Sequence, residues 1–358
     1  MLGIGVIGTG SIANQHIKSY NFFKERCQIL ALYARNREKA LKKKKEFLLD
    51  AIVYTDYKEL LKNPDVNLVS ICLPPFLHCQ VAIDCMLAGK HVLVEKPMAP
   101  TLEECDEMIR VQREMGCYLG VISQNRYTKD NFFLKSMIEH GKLGSVFMGE
   151  VKSCWYRGES YYLPQWRGTW ELEGGGCILN HSIHQIDLLN WILGKPCEVY
   201  AVTANLNHPN SEVEDLAAAI LQYSNDVVVT LNTSLISHGE EQLIRIQGST
   251  ASLSAPFAVE CNIQREDGFP MVNEKYKEQL KREYEEMKVI HYTGFLGQIA
   301  EVLETIESGK FLGESAIAGR DAVEVATAIY ASASLKRPVQ LPLNKTSIFY
   351  KKGRKNNE

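Results

Sequence analysis

Ile4-Gly5-Val6-Ile7-Gly8-Thr9-Gly10-Ser11-Ile12-Ala13 is the stretch whose reading decides the fold. Ile4 to Ile7 reads as a short buried strand, and an amphipathic helix runs over 11–22. Between them stands a Gly-x-Gly-x-x-Ala pattern, which carries meaning when it follows a strand and opens a helix. Gly8 allows the tight turn, Gly10 lets the backbone approach a pyrophosphate, and Ala13 keeps the helix close to the strand. The helix start, with Ser11 and Ile12 beside it, offers N–H groups and a partial positive charge to phosphates. This is the signature of a dinucleotide-binding turn.

Downstream the alternation repeats. Residues 29–33, 68–72, 91–94 and 118–122 read as strands, and 37–49, 76–88 and 102–115 as helices. Such alternation implies parallel strands with right-handed crossovers, an α/β Rossmann domain over residues 1–123. The nearly continuous apolar strands fit a sheet covered on both faces. The second strand ends in Tyr33-Ala34-Arg35-Asn36-Arg37. An acidic residue there binds the ribose hydroxyl of NAD, whereas an arginine accommodates a 2′-phosphate. Arg35 therefore tilts the cofactor expectation, NAD(P), toward NADP.

After residue 123 the pattern changes. Residues 146–156 form a long strand, and 197–206, 213–223, 226–236 and 242–247 are strand-like with no helix between them. Helices at 128–140, 176–193, 293–308 and 319–334 are expected to cover one face of that sheet. The second domain, residues 124–358, thus reads as α+β with an open, largely antiparallel sheet. A chain of 358 residues has room for these two domains. The net charge of −3 argues against a nucleic-acid partner. No apolar run reaches the ~18 residues that span a membrane. Ten cysteines without a CxxC pair suit small apolar packing in a reduced, cytoplasmic compartment.

Three further segments carry a family resemblance. They are Ser70-Ile71-Cys72-Leu73-Pro74-Pro75 with His78, then Gly89-Lys90-His91-Val92-Leu93-Val94-Glu95-Lys96-Pro97. The third is Gly174-Gly175-Gly176-Cys177-Ile178-Leu179-Asn180-His181-Ser182-Ile183-His184-Gln185-Ile186-Asp187. With the glycine turn they make a chain that resembles the Gfo/Idh/MocA oxidoreductases, named after glucose–fructose oxidoreductase and inositol dehydrogenase. The resemblance runs through Gly319-Arg320-Asp321-Ala322 to Arg337-Pro338-Val339-Gln340-Leu341-Pro342. It implies hydride transfer between NAD(P) and a secondary hydroxyl, C3 among the candidates, of a sugar, polyol or sugar derivative. It also implies a homodimer or homotetramer assembled through the open sheet face.

The same resemblance implies that Gly8, Gly10, Ser11, Ile12, Arg35, Leu73, Pro74, His78, Glu95 and Lys96 hold the cofactor. It makes Lys96 the lysine of the Glu-Lys-Pro motif and His184 the catalytic histidine. Asn180 stands where many members carry Asp; others, including some that act on nucleotide-sugar uronates, resemble this chain in carrying Asn.

These residue types suit the chemistry. Taking a hydride from an alcohol carbon requires the hydroxyl proton to leave, to a base of matched pKa. Histidine lies nearest neutrality, so His184 is read as the base. A positively charged nicotinamide disfavours the charge on a neighbouring lysine, so Lys96 can hydrogen-bond the reacting oxygen or relay a proton. On an α-helix Asn180, His184, Asp187 and Trp191 fall within about 60° of one another. Asn180 would then orient substrate or histidine, and Asp187 would support the histidine or tie the helix to its domain. His181, His184 and Asp187 have ligand-like spacing but no further ligand set, so no metal is expected.

Between the long strand and the glycine run lie Tyr156, Tyr161, Tyr162, Trp166, Arg167 and Trp170. Aromatic faces cover sugar C–H faces, and Arg167 donates to hydroxyls or a carboxylate in a planar fork. Tyr156, Trp166 and Arg167 join Gln124, Arg126, Asn180 and His184 as substrate candidates. The same residues also suit a glycosidase or lyase that oxidises its substrate transiently. A non-catalytic NAD(P)-binding regulator is the third alternative.

Overall fold

The computed structural model describes residues 1–288, 292–311 and 313–352. The expected tail from 351 onward lies almost wholly outside the described residues. The chain forms two compact units. The first comprises Met1–Gln124, Glu171–Gly174 and Tyr292–Val323, and the second the remaining described residues.

The first unit is built on β1 (Leu2–Ile7), β2 (Cys27–Tyr33), β3 (Ile52–Tyr54), β4 (Leu68–Ile71), β5 (His91–Val94) and β6 (Leu119–Val121). All are parallel, in the order β3-β2-β1-β4-β5-β6. Helices α1 (Ala13–Phe22), α2 (Arg37–Glu46), α3 (Tyr57–Leu61), α4 (His78–Leu87) and α5 (Leu102–Met115) connect them. Local chemistry sets their ends. A capping box between Thr101 and Glu104 opens α5, and Gly116, at φ 62°, closes it in the left-handed conformation. Strand order reverses between β1 and β4, the place where open α/β sheets bind ligands. Periodicity does not reveal β3 or α3, because three and five residues are too short to show a period.

The second unit contains α6 (Lys129–Glu139), β7 (Val146–Tyr156), α7 (Ile183–Leu193), β8 (Glu198–Ala204), β9 (Leu216–Gln222), β10 (Val228–Ser234) and β11 (Ile236–Gly248). β12 (Ser252–Ala255), β13 (Ala258–Glu260), a hairpin of β14 (Asn262–Gln264) and β15 (Pro270–Val272), and α8 (Glu274–Glu286) follow. After α9 (Gly294–Ser308) and α10 (Glu314–Leu335) come β16 (Val339–Gln340) and α11 (Ile348–Lys352). The large sheet runs β13-β12-β11-β7-β10-β9-β8-β16. It is antiparallel apart from the parallel pair β7 and β10.

One expectation is corrected. The helix expected at 293–308 does not cover the second sheet; as α9 it belongs to the first unit. Ile299, Val302, Leu303 and Ile306 share one core with Ile17, Tyr20 and Phe23 of α1. The first unit also needs this segment at its β6 edge. There Gln298 accepts the Ser123 N–H at 2.8 Å and donates to the Val121 carbonyl at 2.8 Å, and Ser315 accepts the Val121 N–H at 3.1 Å. An edge strand left bare is a liability, and these contacts close it. The chain then passes from the first unit to the second within α10, between Val323 and Glu324. A helix's apolar stripe records that it is covered, not by which sheet.

The ten cysteines are free thiols. No helix among the described residues is long and apolar enough to cross a membrane.

Candidate functional site

In the first unit the β1–α1 turn is shaped for an anion. Gly8 has φ 103°, and a Cβ there would stand 2.4 Å from the Cys72 carbonyl oxygen, so only glycine lets the turns after β1 and β4 meet. A Cβ on Gly10 would meet nothing within 4 Å, so that position opens on empty space. Ile12 provides no side-chain cap, and the first turn of α1 holds no acid. No side chain caps the start of α1 beside the exposed Gly10 and Ser11, where the Asn14 and Gln15 N–H groups fold back on the Ser11 and Ile12 carbonyls at 3.2 and 3.0 Å and the helix end keeps its partial positive charge. These features fit the diphosphate of a dinucleotide. At the end of β2, Arg35 and Arg37 are exposed and take part in no ion pair among the described residues, while Asn36 caps α2 by accepting the Lys39 N–H.

The turns after β4 and β5 are braced from within. Leu73 and Pro74 are half-buried. His78 is 1% exposed, with Nε2 2.8 Å from the Leu73 carbonyl and Nδ1 2.9 Å from the Pro97 carbonyl. Burial lowers its pKa, against the pull of those carbonyls. Glu95 also turns inward: Oε1 lies 2.9 Å from His16 Nε2, and Oε2 accepts the Lys96 N–H at 3.2 Å. His78 and Glu95, both read as cofactor contacts, spend these atoms inside the unit. Lys96 keeps a half-exposed side chain. His16 escapes the sequence reading; its one signal is a histidine on the otherwise apolar face of Ala13, Ile17 and Tyr20.

In the second unit the glycine run enters a π-helical turn, Ile178–Ser182, which passes into α7. The expected continuous α-helix over 176–193 is corrected here. The wider π turn carries an additional residue, so α-helical spacing does not relate Asn180 to the residues after it. Glu214 explains the turn. Its buried carboxylate accepts the N–H groups of Gly176 at 3.0 and 3.1 Å and of Ile178 at 3.0 Å, and the Tyr330 hydroxyl at 2.9 Å. Tyr330 Oη in turn accepts the Leu179 N–H at 3.3 Å. Burial pushes the Glu214 carboxyl up, and these donors pull it back. Asn180 is buried, with Nδ2 donating to the Gly175 carbonyl at 2.7 Å. Two acids, Glu214 and Asp215, inside an apolar strand-like run were the available signal for this clamp.

Within α7, His184, Asp187 and Trp191 share one face. Asp187 is paired fork to fork with Arg126, at 2.6 and 2.8 Å, and the guanidinium lies 5.7 Å from the Trp191 ring. Burial raises the Asp187 pKa, and Arg126 works against it. Asp187 thus ties α7 to the 124–127 turn, and Arg126, a substrate candidate, is committed to that tie. His184 remains half-exposed. Among the described residues no group of three or more His, Cys, Asp or Glu side chains is arranged to hold a metal.

Around His181 stands a wall of rings and guanidinium groups. His181 lies 6.1 Å from Trp155 and 5.8 Å from Tyr161. Arg167 stacks 4.1 Å from the Tyr161 ring and 4.3 Å from the Trp166 ring, and Arg157 sits 5.1 Å from Trp155. His208, buried between Asp215 at 2.9 Å and the Arg157 carbonyl at 2.8 Å, fixes the end of β7 beneath them. Tyr156 stands apart, exposed and stacked on His238, and Trp170 packs edge-on against Tyr330. Gln124 carries a buried Oε1 with no hydrogen-bond partner among the described residues.

Known proteins share the two domains of this chain. Residues 2–123 match the NAD-binding Rossmann fold of the Gfo/Idh/MocA oxidoreductase family, and residues 135–341 match its C-terminal α/β domain. An uncharacterised oxidoreductase of Synechocystis is 31% identical over 270 residues, 70% of this chain and 71% of that protein. Myo-inositol 2-dehydrogenase of Thermotoga maritima is 25% identical, over 94% of this chain and 98% of its own. The WlbA dehydrogenase of Bordetella pertussis, solved with NADH and UDP-GlcNAcA, superposes with a TM-score of 0.83 at 25% identity, covering 96% of this chain and 98% of its own. By both domain matches and by its relatives, the chain belongs to the Gfo/Idh/MocA oxidoreductase family, with an NAD-binding Rossmann unit and that family's C-terminal domain.

Proposed function

We propose that the chain moves a hydride between a secondary hydroxyl of a cyclic sugar, polyol or sugar acid and NAD(P), with His184 as the base for the hydroxyl proton and Lys96 at the reacting oxygen. One observation carries this reading. Lys96, in the Glu-Lys-Pro motif of the matched Rossmann domain, and His184, in the glycine-led motif of the matched C-terminal domain, both keep partly exposed side chains. When bound, the nicotinamide supplies the hydride acceptor. The uncapped start of α1 holds the diphosphate, with Gly8 and Gly10 clearing its path. His184 takes the hydroxyl proton, and the Lys96 ammonium donates to the oxygen as its negative charge grows. Tyr161 and Trp166 offer ring faces, and Arg167 a planar donor, to the polyol. The inositol and UDP-sugar-acid names of the relatives support a cyclic, polyhydroxylated substrate.

A panel of hexoses, inositols and nucleotide-linked sugar acids, supplied with NAD or NADP, tests the reading by the absorbance of reduced nicotinamide. No response to any member overturns it. Products formed without net reduced cofactor mark the transient-oxidation alternative.

Cofactor choice is assigned to Arg35 and Arg37, both exposed at the end of β2. NADP is expected to bind more tightly than NAD. Arg35→Asp is expected to weaken NADP binding by about 10- to 100-fold, the worth of a charge-assisted hydrogen bond, and to leave NAD binding within a few-fold. Titration calorimetry showing an unchanged NADP/NAD ratio would remove Arg35 as the selector.

Assembly is proposed through the open face of the large sheet. Tyr200, Val202, Ile220 and Met148 expose large apolar groups there, with Tyr200 directly opposite Ile220. A contiguous exposed apolar face marks an interaction surface. The wild type is expected to be a homodimer or homotetramer, and Tyr200→Glu with Ile220→Glu a monomer by light scattering. A monomeric wild type would refute this.

A further inference from the structure

A chain of buried polar side chains in the first unit ends at Lys96. Tyr20 Oη lies 2.6 Å from Ser70 Oγ, which lies 3.2 Å from His16 Nδ1. His16 Nε2 lies 2.9 Å from Glu95 Oε1, and Glu95 Oε2 accepts the Lys96 N–H at 3.2 Å. Tyr20, Ser70, His16 and Glu95 are 1%, 0%, 0% and 5% exposed. The edge-to-face contact of His16 with Phe295, at 5.4 Å, fixes the ring plane. Burying such groups costs stability unless every one is paired, and apolar residues of similar volume would pack at least as well. An apolar core could not, however, aim a carboxylate at the Lys96 amide.

We infer that His16 is a positioning residue, whose imidazole holds the Glu95 carboxylate against the Lys96 amide and so sets where the Lys96 side chain stands at the carboxyl end of β5. The inference rests on the role proposed above for Lys96. Burial works against a charge on His16, but Cys72 and Glu95 outweigh it and push its pKa up to about 10. With both nitrogens protonated, the ring donates to Ser70 and Glu95 at once. The resulting charge-assisted bond is short and directional, as positioning requires.

The test compares the wild type with His16→Gln, His16→Leu and Glu95→Gln, as full chains without substrate, by amide NMR and hydrogen exchange. The wild-type Lys96 amide is expected downfield and protected. His16→Gln, which keeps a donor toward Glu95, is expected to retain that signature; His16→Leu and Glu95→Gln are expected to lose it. In turnover, His16→Leu is expected to lower kcat by about 100-fold, the scale of a misplaced reacting group, with cofactor affinity little changed and activity largely restored in His16→Gln. Should His16→Leu fail to fold, Glu95→Gln carries the comparison, since it changes charge and not volume. An unchanged Lys96 amide in the folded variants overturns the positioning role. The amide measurement needs no turnover, so a wild type inactive on every sugar would count against the catalytic reading alone.

Discussion

Lys96→Met is expected to lower kcat by about 10²–10⁴-fold, and His184→Ala by a similar factor, the usual contribution of a positioned proton donor or acceptor. Methionine keeps the length and apolar stem of lysine but cannot donate a hydrogen bond. Alanine removes the base and leaves the proton to water. Lys96→Arg is no rescue, because a guanidinium stays charged and spreads its donors over a plane. The double variant is expected to be little worse than either single one, since groups acting on one proton transfer do not add. Cofactor affinity should hold within a few-fold, because the diphosphate contacts are proposed at α1 and neither substitution alters them. Single-turnover kinetics with the substrate found by the panel, together with NAD(P) titration, checks this. Full activity in both variants would refute the assigned roles.

Gly176→Ala is expected to destabilise the second unit by about 3 kcal/mol, the upper range for a forced overpacking. A Cβ there would stand 1.9 Å from the Glu214 carbonyl oxygen and 3.0 Å from a Val213 methyl. The first obstacle is backbone, which cannot swing aside, so the entry to the π turn must move. That movement pulls the Gly176 and Ile178 amides from the Glu214 carboxylate and leaves a buried charge short of donors. Thermal unfolding is expected to begin roughly 6–12 °C lower, at about 2–4 °C per kcal/mol for a unit of this size. An unchanged melting temperature would show that the glycine run plays no steric part.

The Rossmann half is legible because each of its signals is local. Tight turns demand glycine, buried parallel strands demand apolar runs, and capped helices carry their caps in sequence. β5 and α5 have the bounds expected from periodicity alone. The candidate site is legible only in part. Lys96 and His184 stand out by motif, but the partners of Glu95, His78 and Asp187 do not. His16 lies 79 positions from Glu95, and Glu214 lies 38 from Gly176. No period or spacing links such pairs.

The sequence by itself determined the alternating strands and helices of the Rossmann half apart from β3 and α3, the dinucleotide turn and the family, because these rest on neighbours in the chain. Tertiary structure alone decided three things. It sent α9 back to the β6 edge, turned the start of the helix that carries His184 into a π turn, and committed Arg126, Glu95 and His78 inward. The reason is the same in each case. A buried carboxylate, an open strand edge or an uncapped helix end takes whichever partner the fold brings within about 3 Å, and that choice is made by packing rather than by spacing.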